Sequence, residues 1–186
     1  HNISKATRIC MLAHSKSVKA IRKYAKTSPK VGIAMAAGAF IPKTESKTDI
    51  ATAKYKSFNS GIGLMNNRWW SDPILLGRPV TAYGIFKTHE KDMKAIYQPL
   101  DFVGLNVYQP YGVSKRKLDE SKKTSMGWAI DGRVLYWTIR FYSERYGLPV
   151  MVTENGMAND DTVSSDGCVH DKNRIDFMKE YLSGVK

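Results

Sequence analysis

Three short apolar runs constrain this chain most, because each follows a stretch with helical periodicity. They are VGIAMA at Val31 to Ala36, DFVGLNV at Asp101 to Val107 and PVMVT at Pro149 to Thr153. VGIAMA shows no in-out alternation, which fits a strand covered on both faces, as in a parallel sheet. Parallel neighbours need long crossovers, and helices alternate here with short buried strands throughout. The organisation is α/β with a parallel sheet, and periodicity alone allows a doubly wound sheet or a barrel. No internal repeat and no second domain is visible, so residues 1–186 read as one domain.

Between the runs the expected elements are these. Ser4 to Lys26 is an amphipathic helix whose apolar positions Ile9, Leu12, Ala13, Ala20, Ile21 and Tyr24 form the buried stripe. Ser28-Pro29 stops it. Asp49 to Met65 is helical, weakened by Asn59, Gly61 and Gly63, and Tyr83 to Ile96 is weakly helical. Asn66 to Pro79 is an aromatic loop, with Trp69, Trp70 and, further on, Trp137 as core tryptophans, and Ser114 to Lys123 is a basic surface loop. Leu135 to Tyr146 is a helix closed by Gly147. After a polar loop from Asn155 to His170, Asp171 caps a last helix that buries Ile175, Met178 and Leu182.

Charge and cysteine usage narrow the class. The formal net charge is +12, and residues 1–44 hold nine Lys or Arg and no acid. Such a segment suits nucleic acid or an anionic surface, but no zinc-finger, RNA-recognition or helix-turn-helix pattern accompanies it, and a solvated helix face is the plainer account. No apolar run is long enough to span a bilayer. Cys10 and Cys168 are too few for a disulfide framework and fit a reduced, cytoplasmic setting. The chain opens at His1 on a helical pattern without an initiator methionine, as a portion of something longer would.

Reactive groups in barrel enzymes stand at the C-terminal ends of strands. The second run ends in Asn106, Val107 and Tyr108, and the third in Thr153, Glu154, Asn155 and Gly156. A carboxylate directly after an apolar strand is a candidate catalytic group, with a loop-stabilising Glu as the alternative. At these residues a resemblance appears. PVMVTENGMANDD (Pro149 to Asp161) resembles the nucleophile segment of the family 1 glycoside hydrolases. DFVGLNVYQP (Asp101 to Pro110), TSMGWAID (Thr124 to Asp131), RYGLP (Arg145 to Pro149) and GCVHDKNRIDFMKEYL (Gly167 to Leu182) resemble other segments of that family. MLAHSKSVKAI (Met11 to Ile21) and NNRWWSDPILLGRP (Asn66 to Pro79) fall in the family's order upstream.

The resemblance implies a partial (β/α)8 barrel, strands five to seven with their helices, truncated at both ends relative to the family. It implies a retaining β-glucosidase, a reaction in which two carboxyl groups about 5 Å apart flank the glycosidic bond. Glu154 matches the nucleophile, Tyr108 the residue that holds its carboxylate, Asn106 a sugar-facing Asn and Trp128 a Trp on the aglycone side. No N-E-P acid/base motif occurs in the chain, so the isolated chain is expected to be inactive. Val107 stands where the family has Tyr, and IDGRVLYW lacks the family's Pro. The substrate implied is a β-glucoside or oligosaccharide, without metal or organic cofactor. Within the family a 6-phospho-β-glycosidase is the alternative; outside it, a non-catalytic sugar-binding or assembly module. A partial barrel is further expected to self-associate or to bind a complementary barrel segment.

Overall fold

The computed structural model describes residues 2–60, 66–82, 86–88, 90–113 and 122–185. In chain order the elements are α1 (Asn2–Tyr24), β1 (Gly32–Ala37), β2 (Phe40–Ile41), α2 (Lys47–Asn59) and α3 (Asn67–Ser71), which runs into a π-helical turn at Asp72–Leu76. There follow β3 (Thr81–Ala82), β4 (Phe86–Lys87), α4 (Glu90–Ile96), β5 (Phe102–Val107), β6 (Gly112–Val113), α5 (Arg133–Tyr146), β7 (Val150–Glu154) and α6 (Lys172–Ser183). The three apolar runs are β1, β5 and β7, and they form one parallel sheet in that order. Each new strand is laid beside the last without reversal. That progression is the one a barrel segment has.

Side-chain alternation divides the sheet into two faces. Met35 and Ala37 of β1 and Val103, Leu105 and Val107 of β5 are buried in the main core with Trp69, Trp137, Phe141 and Tyr142. Between them, Ala34, Ala36, Gly104 and Asn106 turn to the opposite face, where Ala34 and Ala36 are exposed. The first run is therefore covered on one face only among the described residues, not on both. β7 is more open still, with Met151 52% and Val152 37% exposed, because no described strand pairs with its far edge.

Both terminal helices pack on a different stripe from the one their periodicity suggests. In α1 the buried positions are Thr7, Met11, Ser15 and Val18, while Ile9, Ile21 and Tyr24 are exposed. Hydroxyls can occupy this stripe because they bond back to their own helix, Thr7 to the Ser4 carbonyl (3.0 Å) and Ser15 to that of Leu12 (3.1 Å). In α6, Phe177 and Tyr181 are buried as a stacked pair with ring centroids 3.9 Å apart, and Ile175, Met178 and Leu182 are exposed. Asp171 holds the N-cap position of α6, but its side chain makes no capping hydrogen bond. It sits in the left-handed region (φ 38°), and its carboxylate accepts from Arg174 at 2.8 Å instead.

Within the aromatic segment 66–79, residues 67–76 are helical rather than loop. Asn66 starts α3 by accepting from the Trp69 amide (2.8 Å), so Trp69 enters the core. Trp137 is buried as well, and Trp70 is half-buried against the core. Of the weak helix expected over 83–96, Phe86–Lys87 is instead strand β4, paired antiparallel with β3, and among the described residues Glu90–Ile96 is helical; 83–85 and 89 lie outside them. α2 starts at Lys47, where Ser46 caps it by accepting from the Asp49 amide (3.2 Å), and it ends at Asn59; Gly61 and Gly63 lie outside the described residues, as does 114–121 of the basic loop. Gly147 ends α5 as expected, in the left-handed conformation (φ 65°) that glycine adopts without a Cβ penalty.

One buried ion pair ties the π-helical turn to α5. Asp72, 5% exposed, accepts from Arg145 Nη2 (2.6 Å) and Nε (3.0 Å) and from the Tyr146 hydroxyl (2.9 Å). Removing the acid leaves three donor atoms on two side chains without their acceptor, and breaking a buried pair costs about 3–5 kcal/mol. Asp72→Ala is expected to lower the urea unfolding free energy by that amount. A loss under about 1 kcal/mol would show that the pair is no more than a surface bridge.

Candidate active site

The C-terminal ends of β5 and β7 bring the expected residues together. Pairing between these strands is regular from Val103↔Val150 to Leu105↔Val152 and then slips, so that Asn106 faces Glu154 and Thr153 is the extra residue. This is a bulge on β7, a device that re-aims side chains. Regular pairing would set Glu154 beside Val107, whose side chain is fully buried on the helix-facing side. The bulge places it beside Asn106 instead, on the open face.

Local contacts hold that slip. The Thr153 hydroxyl donates to Asn106 Oδ1 (2.6 Å), and the Asn155 amide donates to the Val107 carbonyl (2.7 Å), so residues on both sides of Glu154 are fastened to β5. Gly104 gives Thr153 its room: a Cβ there would meet Thr153 Cγ2 at 2.8 Å and the β1 backbone at Ala34 at 3.2 Å.

Past β5, Tyr108 lies on the same face as Asn106, and its hydroxyl donates to Glu154 Oε2 at 2.5 Å. The carboxylate that accepts this proton holds the Tyr108 phenol above its ordinary range, with desolvation and the carboxylate's charge acting in the same direction. Trp128 meets Tyr108 edge-on, at 5.6 Å between centroids and 63° between planes. A strap built on the Lys123–Ala129 bridge carries it, with its amide bonded to Thr124 Oγ1 (3.2 Å).

Glu154, Tyr108, Asn106 and Trp128 are thus gathered at one end of the sheet, as an exposed shelf. Three supporting groups were not singled out in the sequence: Thr153, Asn155 and Tyr181, whose hydroxyl donates to the Tyr108 carbonyl at 2.9 Å. Thr153 and Asn155 flank Glu154 in T-E-N-G, and their adjacency was the available signal. Tyr181 carried none. Val107, the departure from the family pattern, points into the core away from this face, which accounts for the apolar residue there.

Further features bear on the rival readings. Part of the basic charge of residues 1–44 is answered locally, Arg8 by Asp92 (2.6 and 2.7 Å) and both Arg22 and Lys30 by Asp101 (3.6 Å each). No group of His, Cys, Asp or Glu suited to a metal ion occurs among the described residues. No helix among them is long and apolar enough to cross a membrane.

A carboxylate at the tip of β7, held by a tyrosine that packs on a tryptophan and paired across to an asparagine, stands where barrel enzymes carry their reactive groups. The sequence model of glycosyl hydrolase family 1 matches residues 2–186, and the chain belongs to that family. It is 36% identical over 185 residues to the 1,4-beta-D-glucan glucohydrolase of Thermotoga neapolitana, covering 93% of this chain and 43% of that protein. The solved family 1 β-glucosidase of Thermotoga maritima superposes with a TM-score of 0.72 at 32% identity, covering 96% of this chain and 42% of that one. The same enzyme with castanospermine bound gives a TM-score of 0.72 at 31% identity over the same shares. The chain therefore spans about two fifths of the length of these relatives, and its sheet is a segment of their (β/α)8 barrel.

Proposed function

We propose that this chain is part of a retaining β-glucosidase in which Glu154 is the nucleophile. In the first step a Glu154 oxygen attacks the anomeric carbon and the aglycone oxygen departs, taking a proton from a second carboxyl group. In the second step that group takes a proton from water, whose oxygen displaces Glu154 and restores the β configuration. Nothing in this chain matches the second carboxyl group, so the reading assigns it to the remainder of the barrel. Tyr108 orients the attacking carboxylate, Asn106 faces the sugar hydroxyls and Trp128 offers its ring to the aglycone.

One observation carries the reading: a bulge turns Glu154 away from the core to the face where Tyr108 donates to it at 2.5 Å. A loop-stabilising Glu has no need of that aim. The free, exposed Cys10 and Cys168 support the cytoplasmic setting that goes with this reading. The relatives named above are a glucohydrolase and a β-glucosidase, which favours free over 6-phosphorylated sugar. The exposed β7 edge and the apolar faces of α1 and α6 support association with a complementary barrel segment.

The test is covalent trapping. A 2-fluoro-β-glucoside with a good leaving group slows the second step more than the first, so the glycosyl-enzyme accumulates. In a complete barrel carrying residues 1–186 the label is expected on the peptide containing Glu154, and the 186-residue chain alone is expected to take up none. A label on another carboxylate removes Glu154 from the role. Labelling only by the 6-phosphorylated reagent would move the substrate to the phosphoglycosides.

A further inference from the structure

Tyr108 stands just beyond β5, where the sheet no longer supplies partners for the backbone, yet its side chain must meet Glu154 at a fixed point. Two consecutive carbonyls there are held from the β7 side of the site. The Val107 carbonyl accepts from Asn155, and the Tyr108 carbonyl accepts from the Tyr181 hydroxyl at 2.9 Å. Tyr181 is fully buried and stacked on Phe177, so the arm reaching Tyr108 is rigid. A phenylalanine would pack as well, and a buried hydroxyl is unfavourable unless it finds a partner. The partner this hydroxyl finds is the backbone of the residue that holds Glu154.

The same end of α6 also fastens the strap that carries Trp128. Glu180 Oε1 accepts from the Gly132 amide at 2.9 Å. Gly132 has no room for a side chain, since a Cβ would lie 2.7 Å from the Glu180 carbonyl oxygen. One helix end therefore sets the backbone of Tyr108 and the root of the Trp128 strap together, and the two rings meet above it.

We infer that Tyr181 is a positioning residue of the hydrolytic site, acting through the Tyr108 backbone to fix the hydroxyl that binds Glu154. The inference rests on the nucleophile reading of Glu154 given above. It assigns Tyr181 no contact with substrate.

The test is Tyr181→Phe in the complete barrel, alone and combined with Tyr108→Phe, with active sites counted by the trapping reagent so that lost folded protein does not register as lost kcat. Tyr181→Phe is expected to lower kcat on an aryl β-glucoside about 3- to 10-fold with KM little changed, the loss of one modest hydrogen bond felt at the reacting centre. Carbon-13 tyrosine NMR should show the Tyr108 phenol titrating at lower pH than in the parent. In the Tyr108→Phe background Tyr181→Phe should have almost no further effect, because the group it acts through is gone. Equal losses in both backgrounds would assign Tyr181 to packing alone and overturn the inference, as would an unchanged kcat with an unchanged Tyr108 titration. If Tyr108→Phe is itself harmless, the role of Tyr108 falls and this inference falls with it, an outcome distinct from the other two.

Discussion

Replacing Glu154 with glycine in the complete barrel is expected to cut β-glucoside hydrolysis by at least about 10⁴-fold, and added azide is expected to restore turnover. The variant keeps the acid/base and the sugar pocket and leaves a small void where the carboxylate stood. Azide can enter that void and attack the anomeric carbon of an activated β-glucoside as the leaving group departs. One displacement replaces two, so the product is the α-glucosyl azide, with inverted configuration. Glu154 lies on the exposed face and belongs to no buried ion pair, so the glycine variant should fold. A folded variant that azide does not revive, or one that still hydrolyses without it, ends the nucleophile assignment.

Tyr108→Phe is expected to lower kcat about 10- to 100-fold, the usual worth of a hydrogen bond to a charged group expressed as a rate. Here azide should give no revival, since Glu154 still fills its place. A converse effect is expected on the tyrosine. Glu154 holds the Tyr108 phenol above its ordinary range, so Tyr108 remains a protonated donor at alkaline pH where a free phenol ionises. In Glu154→Gln the charged acceptor is gone and the phenol should titrate at lower pH, which carbon-13 tyrosine NMR can follow. A Tyr108 titration identical in the parent and in Glu154→Gln would mean that the contact is absent in solution.

What the sequence disclosed follows from which interactions are local. The strands were legible because four to six consecutive apolar residues admit few alternatives, and the candidates Asn106, Tyr108 and Glu154 because they sit at strand ends, whereas Trp128 was picked out through its M-G-W segment. The α5 boundary was legible at Gly147, whose conformation is set within its own turn. By contrast, α1 and α6 each carry two apolar stripes, and the choice between Met11/Val18 and Ile9/Ile21, or between Phe177/Tyr181 and Ile175/Met178, belongs to the tertiary partner. The helix at Asn67–Ser71 was hidden by Asn66, which reads as a loop former until its side chain is seen capping Trp69. Tyr181 was invisible as part of the site for the same reason: its contact spans 73 residues.

The extra residue in β7 has a bearing on how such a site can be transplanted. From Val150, β7 takes four steps to reach Glu154 while its neighbour takes three to go from Val103 to Asn106, and the side that Glu154 faces depends on that difference. A graft of Glu154 alone onto the matching position of another barrel would inherit the host's own strand arithmetic and aim the carboxylate at the host's helices. The smallest portable unit is therefore Thr153-Glu154-Asn155 on one strand with Gly104 and Asn106 on the next. Substitutions within Val150 to Val152 leave the aim intact, whereas a single insertion or deletion there reverses it.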